Sequence, residues 1–379
     1  MDSLRGNYVI AGIGCTPFGA LPGRGTLSLN VEACKAALED AGIYKDLVDA
    51  VLVKYPTSRF ESMYGQKVAE RMGLQPRIAA VLDQAGASPV SLISYAVMAM
   101  AHNQCEVALV TFADNPKSAG RHAYSHSLGP YGAYGWHGVI GGYAMIARAH
   151  MQEYGTTSKQ LGAIAVACRE HGSRNPRAQL RSPLTLDAHQ SSPWMVEPLR
   201  RDDCCLVSDG GAAVVVMSAA RARRLGVPDP VPILGFGQAH TSWEVAQRPR
   251  LTSTVAGMSA ATAFGMAGIK PGDVDVAQIY DCFTIAVAIT LEDYGFCEPG
   301  QAGAFVSESG ALTIGGRLPL NTSGGLLSET GMPGLQLVLE GVRQIRGVST
   351  SQVPRARTCV ISNQGGIMQT HSTLVIGRQ

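Results

Sequence analysis

Five short stretches bring together residues that can do chemistry. The first is Gln84-Ala85-Gly86-Ala87-Ser88-Pro89, a glycine turn running into a hydroxyl and a proline. The second is Tyr280-Asp281-Cys282-Phe283-Thr284, where a phenol, a carboxylate and a thiol follow one another. The others are Asn321-Thr322-Ser323-Gly324-Gly325, Gly331-Met332-Pro333 and Ser362-Asn363-Gln364-Gly365-Gly366. Glycine turns leave their N–H groups unobstructed, so Gly324, Gly325, Gly365 and Gly366 can polarise a carbonyl oxygen. A phenol such as Tyr280 exchanges a proton when its neighbours lower its pKa. Tyr294, downstream of it, and His371, near the last glycine turn, are further proton carriers, and His137 stands beside a long loop. Asn363 can donate a hydrogen bond but cannot act as a base. The nine cysteines are scattered without a C-x-x-C pair or metal-ligand spacing, which reads as reduced thiols rather than a disulfide framework or a metal site.

These residues need a scaffold, and the hydrophobic pattern describes one twice. Tyr8-Val9-Ile10-Ala11-Gly12 reads as a strand, Leu29 to Ala41 as a helix stopped by Gly42, and Asp49-Ala50-Val51-Leu52-Val53 as a second strand. The same grammar returns as a helix over 260–267, Gly268 at its end, and a strand over 275–279. Ala41-Gly42-Ile43 and Ala267-Gly268-Ile269 lie 226 positions apart, as do Asp49 and Asp275. A repeat this long implies two halves of like fold. Val107-Ala108-Leu109-Val110-Thr111 follows a helix from about Val90 to Asn103, and Thr358-Cys359-Val360-Ile361-Ser362 follows one from Leu335 to Arg346. Both are apolar strands of the kind covered on two faces, and the alternation makes the chain α/β.

The halves are expected over 1–226 and 227–379, joined at the Pro-rich break after a basic helix from Ala219 to Leu225. Segment 114–140 is rich in Gly, Tyr, His and Ser. It is expected to be a lid or an interface, with Tyr124, Tyr131, Tyr134 and Trp136 covering a hydrophobic substrate or a subunit contact.

Composition narrows the function classes. The 379 residues are 46% hydrophobic and 16% charged, enough apolar surface for a large core. The net charge of +2 comes without a dense basic run, which argues against nucleic acid as a partner. Apolar stretches fall short of the ~18 residues that span a bilayer, and the start lacks the charge and apolar pattern of a secretory peptide. A cytoplasmic protein without membrane insertion is expected.

The stretch Asp202-Asp203-Cys204-Cys205-Leu206-Val207-Ser208-Asp209-Gly210-Gly211, then Ile279-Tyr280-Asp281-Cys282-Phe283-Thr284, then Asn321 to Ser328 and Ser362 to Gly366, occur in this order. Together they resemble the thiolase superfamily, in its sterol-carrier-protein-type (lipid-transfer) branch, over almost the whole chain. The resemblance implies the thiolase fold: duplicated βαβαβαββ halves in a five-layered αβαβα core. It also implies a homodimer acting on acyl-CoA thioesters, with no cofactor beyond the coenzyme A of the substrate.

The family's reactive positions are filled differently here. Gly86 stands where the nucleophilic cysteine belongs, Met332 where a Gly-His-Pro histidine belongs, and Asn363 where an acid/base cysteine belongs. Tyr280 replaces the histidine of a His-Asp-Cys-Phe motif. Thiolysis and Claisen condensation need a thiolate to carry the acyl group, and no residue at these positions can do so. Ser88 is expected to cap the helix starting at Pro89, and Asp281 to tie down the helix that follows it.

A phenol and an oxyanion hole suffice for retro-aldol cleavage of a β-hydroxyacyl-CoA. The pattern resembles the cysteine-less acyl-CoA aldolases that shorten steroid side chains with a zinc-ribbon and OB-fold partner of the DUF35 class. By that resemblance Tyr280 is the base and Tyr294 a second candidate, while any zinc belongs to the partner. Two other readings stay open: a non-catalytic acyl-CoA-binding subunit, and an acyltransferase using a displaced cysteine.

Overall fold

The computed structural model describes residues 4–119, 129–136, 138–332 and 334–378. Tyr124 and His137 lie outside the described residues. The first part of the chain runs β1 (Tyr8–Cys15), α1 (Thr26–Ala41), β2 (Ala50–Lys54), α2 (Tyr64–Arg71), β3 (Ile78–Leu82), α3 (Ser88–Ala101) and β4 (Val107–Asp114). Then come α4 (Ile140–Tyr154), α5 (Ser158–Arg174), α6 (Leu186–Ser191), β5 (Trp194–Val196), β6 (Leu199–Arg200), β7 (Gly210–Ser218) and α7 (Ala219–Leu225). The remainder is β8 (Val231–His240), α8 (Ala256–Ala267), β9 (Val276–Ile279), α9 (Thr284–Asp293), α10 (Ala302–Ser307), α11 (Gly325–Ser328), α12 (Leu335–Arg346), β10 (Thr358–Gly365) and β11 (Thr370–Gly377).

The strands are ordered β3-β2-β4-β7-β1-β8-β11-β10-β9, and the two halves meet where β1 pairs with β8 at Val9–Pro232 and Ile10–Val231. Each half repeats the other's pairings. β1 is antiparallel to β7 as β8 is to β11, and β7 to β4 as β11 is to β10. β4 is parallel to β2 as β10 is to β9, and a parallel bridge from Ala277 to Leu320 matches the pairing of β2 with β3.

Helices α1 and α2 cover the outer face of the first half, and α8 covers that of the second. Between the halves, α3 touches strands of both, and so does α12. This is the five-layered αβαβα arrangement of the thiolase fold.

The duplicated signals have duplicated structural jobs. The Asp49 carboxylate accepts the N–H groups of Glu106 and Val107 at 2.9 Å, pinning the start of β4. Asp275 does the same for Arg357 and Thr358 at 2.8 and 2.9 Å, pinning β10. Gly12 and Gly14 on β1, and Gly235 and Gly237 on β8, hold their helices close. A Cβ at any of the four would come well inside 3.0 Å of a carbonyl oxygen of α1 or α8. Backbone therefore packs on backbone at both outer layers.

The apolar run of α9, Ile285-Ala286-Val287-Ala288-Ile289, has no polar face, and α4, α5, α8 and α10 enclose it. Each of its large aliphatic side chains is buried, which contributes ~1.5–3 kcal/mol apiece. The helix fixes the segment just before it, which carries Tyr280.

Candidate active site

Tyr280 follows β9 at the carboxyl end of a parallel strand, where an α/β sheet presents its functional loops. Its N–H donates to the Ser362 carbonyl at 3.1 Å. The residue before it is clamped by Asn321, whose side chain accepts from the Ile279 N–H at 2.7 Å and donates to the Ile279 carbonyl at 2.8 Å. The ring is buried.

The loop joining β3 to α3 faces this ring. A Cβ on Gly86 would stand 2.5 Å from Tyr280 Cζ, and nearer still to the Tyr280 hydroxyl oxygen and the Gln364 carbonyl oxygen. The phenol thus occupies the space beside Gly86. On the other side of the contact, a Cβ on Gly365 would collide with the Gln84 carbonyl oxygen. Loop and strand end interlock through two residues without side chains.

Helix α3 begins at Ser88 with Ala87 at its N-cap, so Ser88 is not the cap that the sequence suggested. Its hydroxyl accepts from the Gln84 N–H at 2.7 Å and donates to the Ala85 carbonyl at 2.9 Å, tying the loop to the helix start.

Asn363 is fully buried beside the same loop. Its Nδ2 donates to the carbonyls of Ser362 and Gly334 at 3.0 and 3.3 Å, while its Oδ1 finds no donor among the described residues. Met332, in the triplet where the family has histidine, is buried too.

Gln364 is a hub that sequence reasoning passed over. Its Oε1 accepts from the Tyr143 hydroxyl at 2.8 Å and from the Met368 N–H at 3.1 Å, and its Nε2 donates to Cys282 Sγ at 3.0 Å. Tyr143 also donates to the Gly366 carbonyl at 3.2 Å and packs on Phe283 with ring centroids 4.4 Å apart. Burial holds both the Tyr143 phenol and the Cys282 thiol well above their ordinary pKa values. Cys205 is likewise pushed up to about 12. Burial thus disfavours the thiolate form at both cysteines.

Three expectations need correction. Asp281 does not hold the helix that follows it. Its carboxylate accepts from the N–H groups of Leu326 and Leu327 at 2.8 and 3.3 Å, at the start of α11. Burial raises its pKa to about 6. Gly325 lies against that carboxylate, and the Gly324 N–H donates to the Asn321 carbonyl at 2.8 Å. The 324–325 turn therefore receives Asp281, and the Gly324 amide is not a free donor. Gly365 does sit beside the Gly86 loop, against the Gln84 carbonyl, whereas Gly366 meets Gln369 and accepts from Tyr143.

Tyr294 and His371 do not join Tyr280. They bond each other, Tyr294 Oη to His371 Nε2, at 3.0 Å, and the Ser362 hydroxyl meets the same nitrogen at 3.0 Å. Thr373 completes the group at 2.6 Å from Tyr294, and Thr373 meets Ser259 of α8 at 2.7 Å. Side chains alternate along a strand, so His371 and Thr373 face α8 while Ser372 faces α3 and donates to the Ala87 carbonyl at 2.7 Å. The sheet separates the pair from the Gly86 loop. Burial pushes His371 down to about 3, which keeps it neutral.

Asp203, Ser208 and Asp209 do structural work. Asp203 gathers His189, Thr284 and the Arg200 N–H, Ser208 accepts from Gln179 and the Gly331 N–H, and Asp209 binds the N–H groups of Leu21 and Lys117. In the long segment, Tyr131 and Trp136 contact each other at 5.7 Å. With Met145, Trp243, Leu251 and Ile367 they line a small apolar pocket reaching Gly366.

The arrangement is a buried phenol at the end of a parallel strand, against the glycine-lined start of a 14-residue helix. That helix end favours negative charge. It suits deprotonation of a hydroxyl next to a developing oxyanion.

The molecule is similar to known proteins along its length. The family model described as thiolase C-terminal domain-like matches residues 237–378. A steroid side-chain-cleaving aldolase of Thermomonospora curvata is 36% identical, with 100% of this chain and 99% of the relative aligned. A 17-hydroxy-3-oxo-4-pregnene-20-carboxyl-CoA lyase of Mycobacterium tuberculosis is 34% identical, over 99% of this chain and 100% of that protein. The solved Ltp2-ChsH2(DUF35) aldolase superposes with a TM-score of 0.90 at 34% identity, covering 99% of this chain and 98% of that one. An acetyl-CoA acetyltransferase of Syntrophomonas wolfei shares the fold, with a TM-score of 0.74 at 15% identity and coverage of 99% and 100%. Full-length identity of this order with the first two relatives goes with a common ancestry as well as a common fold, and the chain belongs to the thiolase superfamily, in its thiolase-like aldolase and lyase branch.

Proposed function

We propose that the chain is a CoA-thioester retro-aldolase that cleaves a β-hydroxyacyl-CoA, with a steroid side chain as the acyl group. The observation that carries this reading is the Tyr280 phenol lodged against Gly86, at the place where acyl transfer would require a nucleophile. Tyr280, as its phenolate, takes the proton of the β-hydroxyl and becomes the neutral phenol. The freed electron pair forms the ketone or aldehyde carbonyl, the Cα–Cβ bond breaks, and its electrons enter the thioester enolate. The N-terminus of α3 and the Gly365–Gly366 turn stabilise that enolate until Cα is protonated, releasing a shorter acyl-CoA. Asn363 supports substrate binding through its buried Oδ1, which lacks a donor among the described residues. The reaction uses no cofactor beyond the coenzyme A of the substrate.

The working assembly in this reading pairs the chain with a DUF35 zinc-ribbon and OB-fold protein, as in the two-component aldolase it superposes on. A homodimer core fits the end position of β3, whose edge carries the exposed Val81 and is open to strand pairing. No helix among the described residues is long and apolar enough to cross a membrane, and all nine cysteines are free thiols, in keeping with the cytoplasm.

The test is incubation with tertiary-hydroxy steroid and aliphatic β-hydroxyacyl-CoA thioesters, with and without the DUF35 protein, reading carbonyl product and short acyl-CoA. Tyr280→Phe should abolish turnover while the protein stays folded. Near-normal turnover would remove Tyr280 as the base. Thioester binding without cleavage in the complete complex would overturn the lyase reading.

A further inference from the structure

We infer that Gly86 is a positioning residue for the Tyr280 phenol, and that a side chain at 86 and a phenol at 280 exclude one another. The inference rests on the reading of Tyr280 as the base. Of the three heavy atoms nearest to an ideal Cβ on Gly86, two belong to the end of the Tyr280 ring, and the third is the Gln364 carbonyl oxygen. All three lie under 3.0 Å, so something must move if a side chain is added.

Neither the loop nor the Tyr280 backbone has room to retreat. The loop is held to α3 by Ser88, pressed onto Gly365 through the Gln84 carbonyl and onto the Gln364 carbonyl through Gly86, and fixed behind by Ser372 on the Ala87 carbonyl. Tyr280 is held by its N–H on the Ser362 carbonyl, and Asn321 clamps Ile279 just ahead of it. The phenol is therefore the softest element, and any Cβ at 86 pushes it off its seat.

Two chemistries are thereby made alternatives at one location. Restoring a cysteine at 86 alone does not add acyl transfer to the lyase; it evicts the base. A change between the two reactions has to alter both positions together.

The experiment uses the full chain with its DUF35 partner and a β-hydroxyacyl-CoA that the wild type cleaves. Gly86→Ala and Gly86→Cys should each lower kcat by about 100-fold, the scale of a small misplacement of a reacting group. KM should stay within about threefold, because residue 86 acts through Tyr280 and not through ground-state binding. The limb of the pH–rate profile assigned to the phenol should shift in the surviving activity. A kcat within about threefold of wild type in Gly86→Ala would overturn the inference.

Should these variants fold poorly, thermal unfolding decides the question. Gly86→Ala should lower Tm by less in a Tyr280→Ala background than in the wild type, since two of the three clashing atoms are then gone. Equal losses in both backgrounds would also overturn it. If the wild type cleaves no thioester at all, the lyase reading falls, and the thermal cycle still decides whether 86 and 280 share one space.

Discussion

His371 is buried and neutral, and that state makes the protein's response to acid calculable. Its folded pKa of about 3 lies below the ordinary histidine value of 6.5 because burial disfavours the imidazolium. The unfolded chain takes up a proton below pH 6.5 while the folded chain does not, so this residue removes stability as pH falls from 6.5 towards 3. Linkage puts the loss at about 2 kcal/mol by pH 5. Asp281 acts in the opposite sense. Its folded pKa of about 6 exceeds the ordinary 3.8, so stability rises as pH falls through that window. The gain is about 1 kcal/mol at pH 5.

The His371→Gln variant separates the two. Gln can accept the Tyr294 hydroxyl but cannot titrate. Chemical unfolding of both proteins at pH 7.5 and pH 5 should show the variant's deficit shrinking by about 2 kcal/mol at the lower pH. The subtraction cancels Asp281 and every other group that the substitution leaves alone. A deficit unchanged to within about 0.5 kcal/mol would refute the assignment of a neutral, desolvated imidazole.

Other outcomes follow from the same geometry. Asp49→Ala and Asp275→Ala each release two backbone N–H groups at the start of an equivalent strand. Each should cost about 1–3 kcal/mol by chemical unfolding, and a cost for only one of them would contradict their equivalence. Tyr294→Phe removes hydroxyl contacts to His371 and Thr373 on the face remote from Gly86. Cleavage activity should stay within about threefold of wild type, and a collapse of kcat with the fold intact would return Tyr294 to the site.

Much of the scaffold was legible because its signals are local. The helices α1 and α8 end at Ala41 and Ala267, where the stop glycines Gly42 and Gly268 placed their ends, and the helices over Leu335–Arg346 and Ala219–Leu225 appear as expected. Asp49 and Asp275 were recognisable by their common offset before their common hydrogen bonds were visible. The site was legible only in part, because its contacts join distant residues. Tyr143 reaches Gln364 across 221 positions, and no local pattern marks it. Tyr294 was grouped with Tyr280 by resemblance and His371 by nearness to a glycine turn, yet the register of β10 and β11 turns His371 to the other face. Ser88 has the composition of a cap, but its hydroxyl is drawn to Gln84 and Ala85 instead.

The paired glycines of β1 and β8 also govern how the molecule deforms. Where main chain rests on main chain, there are no rotamers to yield, so α1 with β1 and α8 with β8 move as two stiff plates. Compliance is left to the parts built on side chains and loops. The small apolar pocket lined by Tyr131, Trp136, Met145 and Trp243 is built on side chains instead, and there rotamers are free to yield.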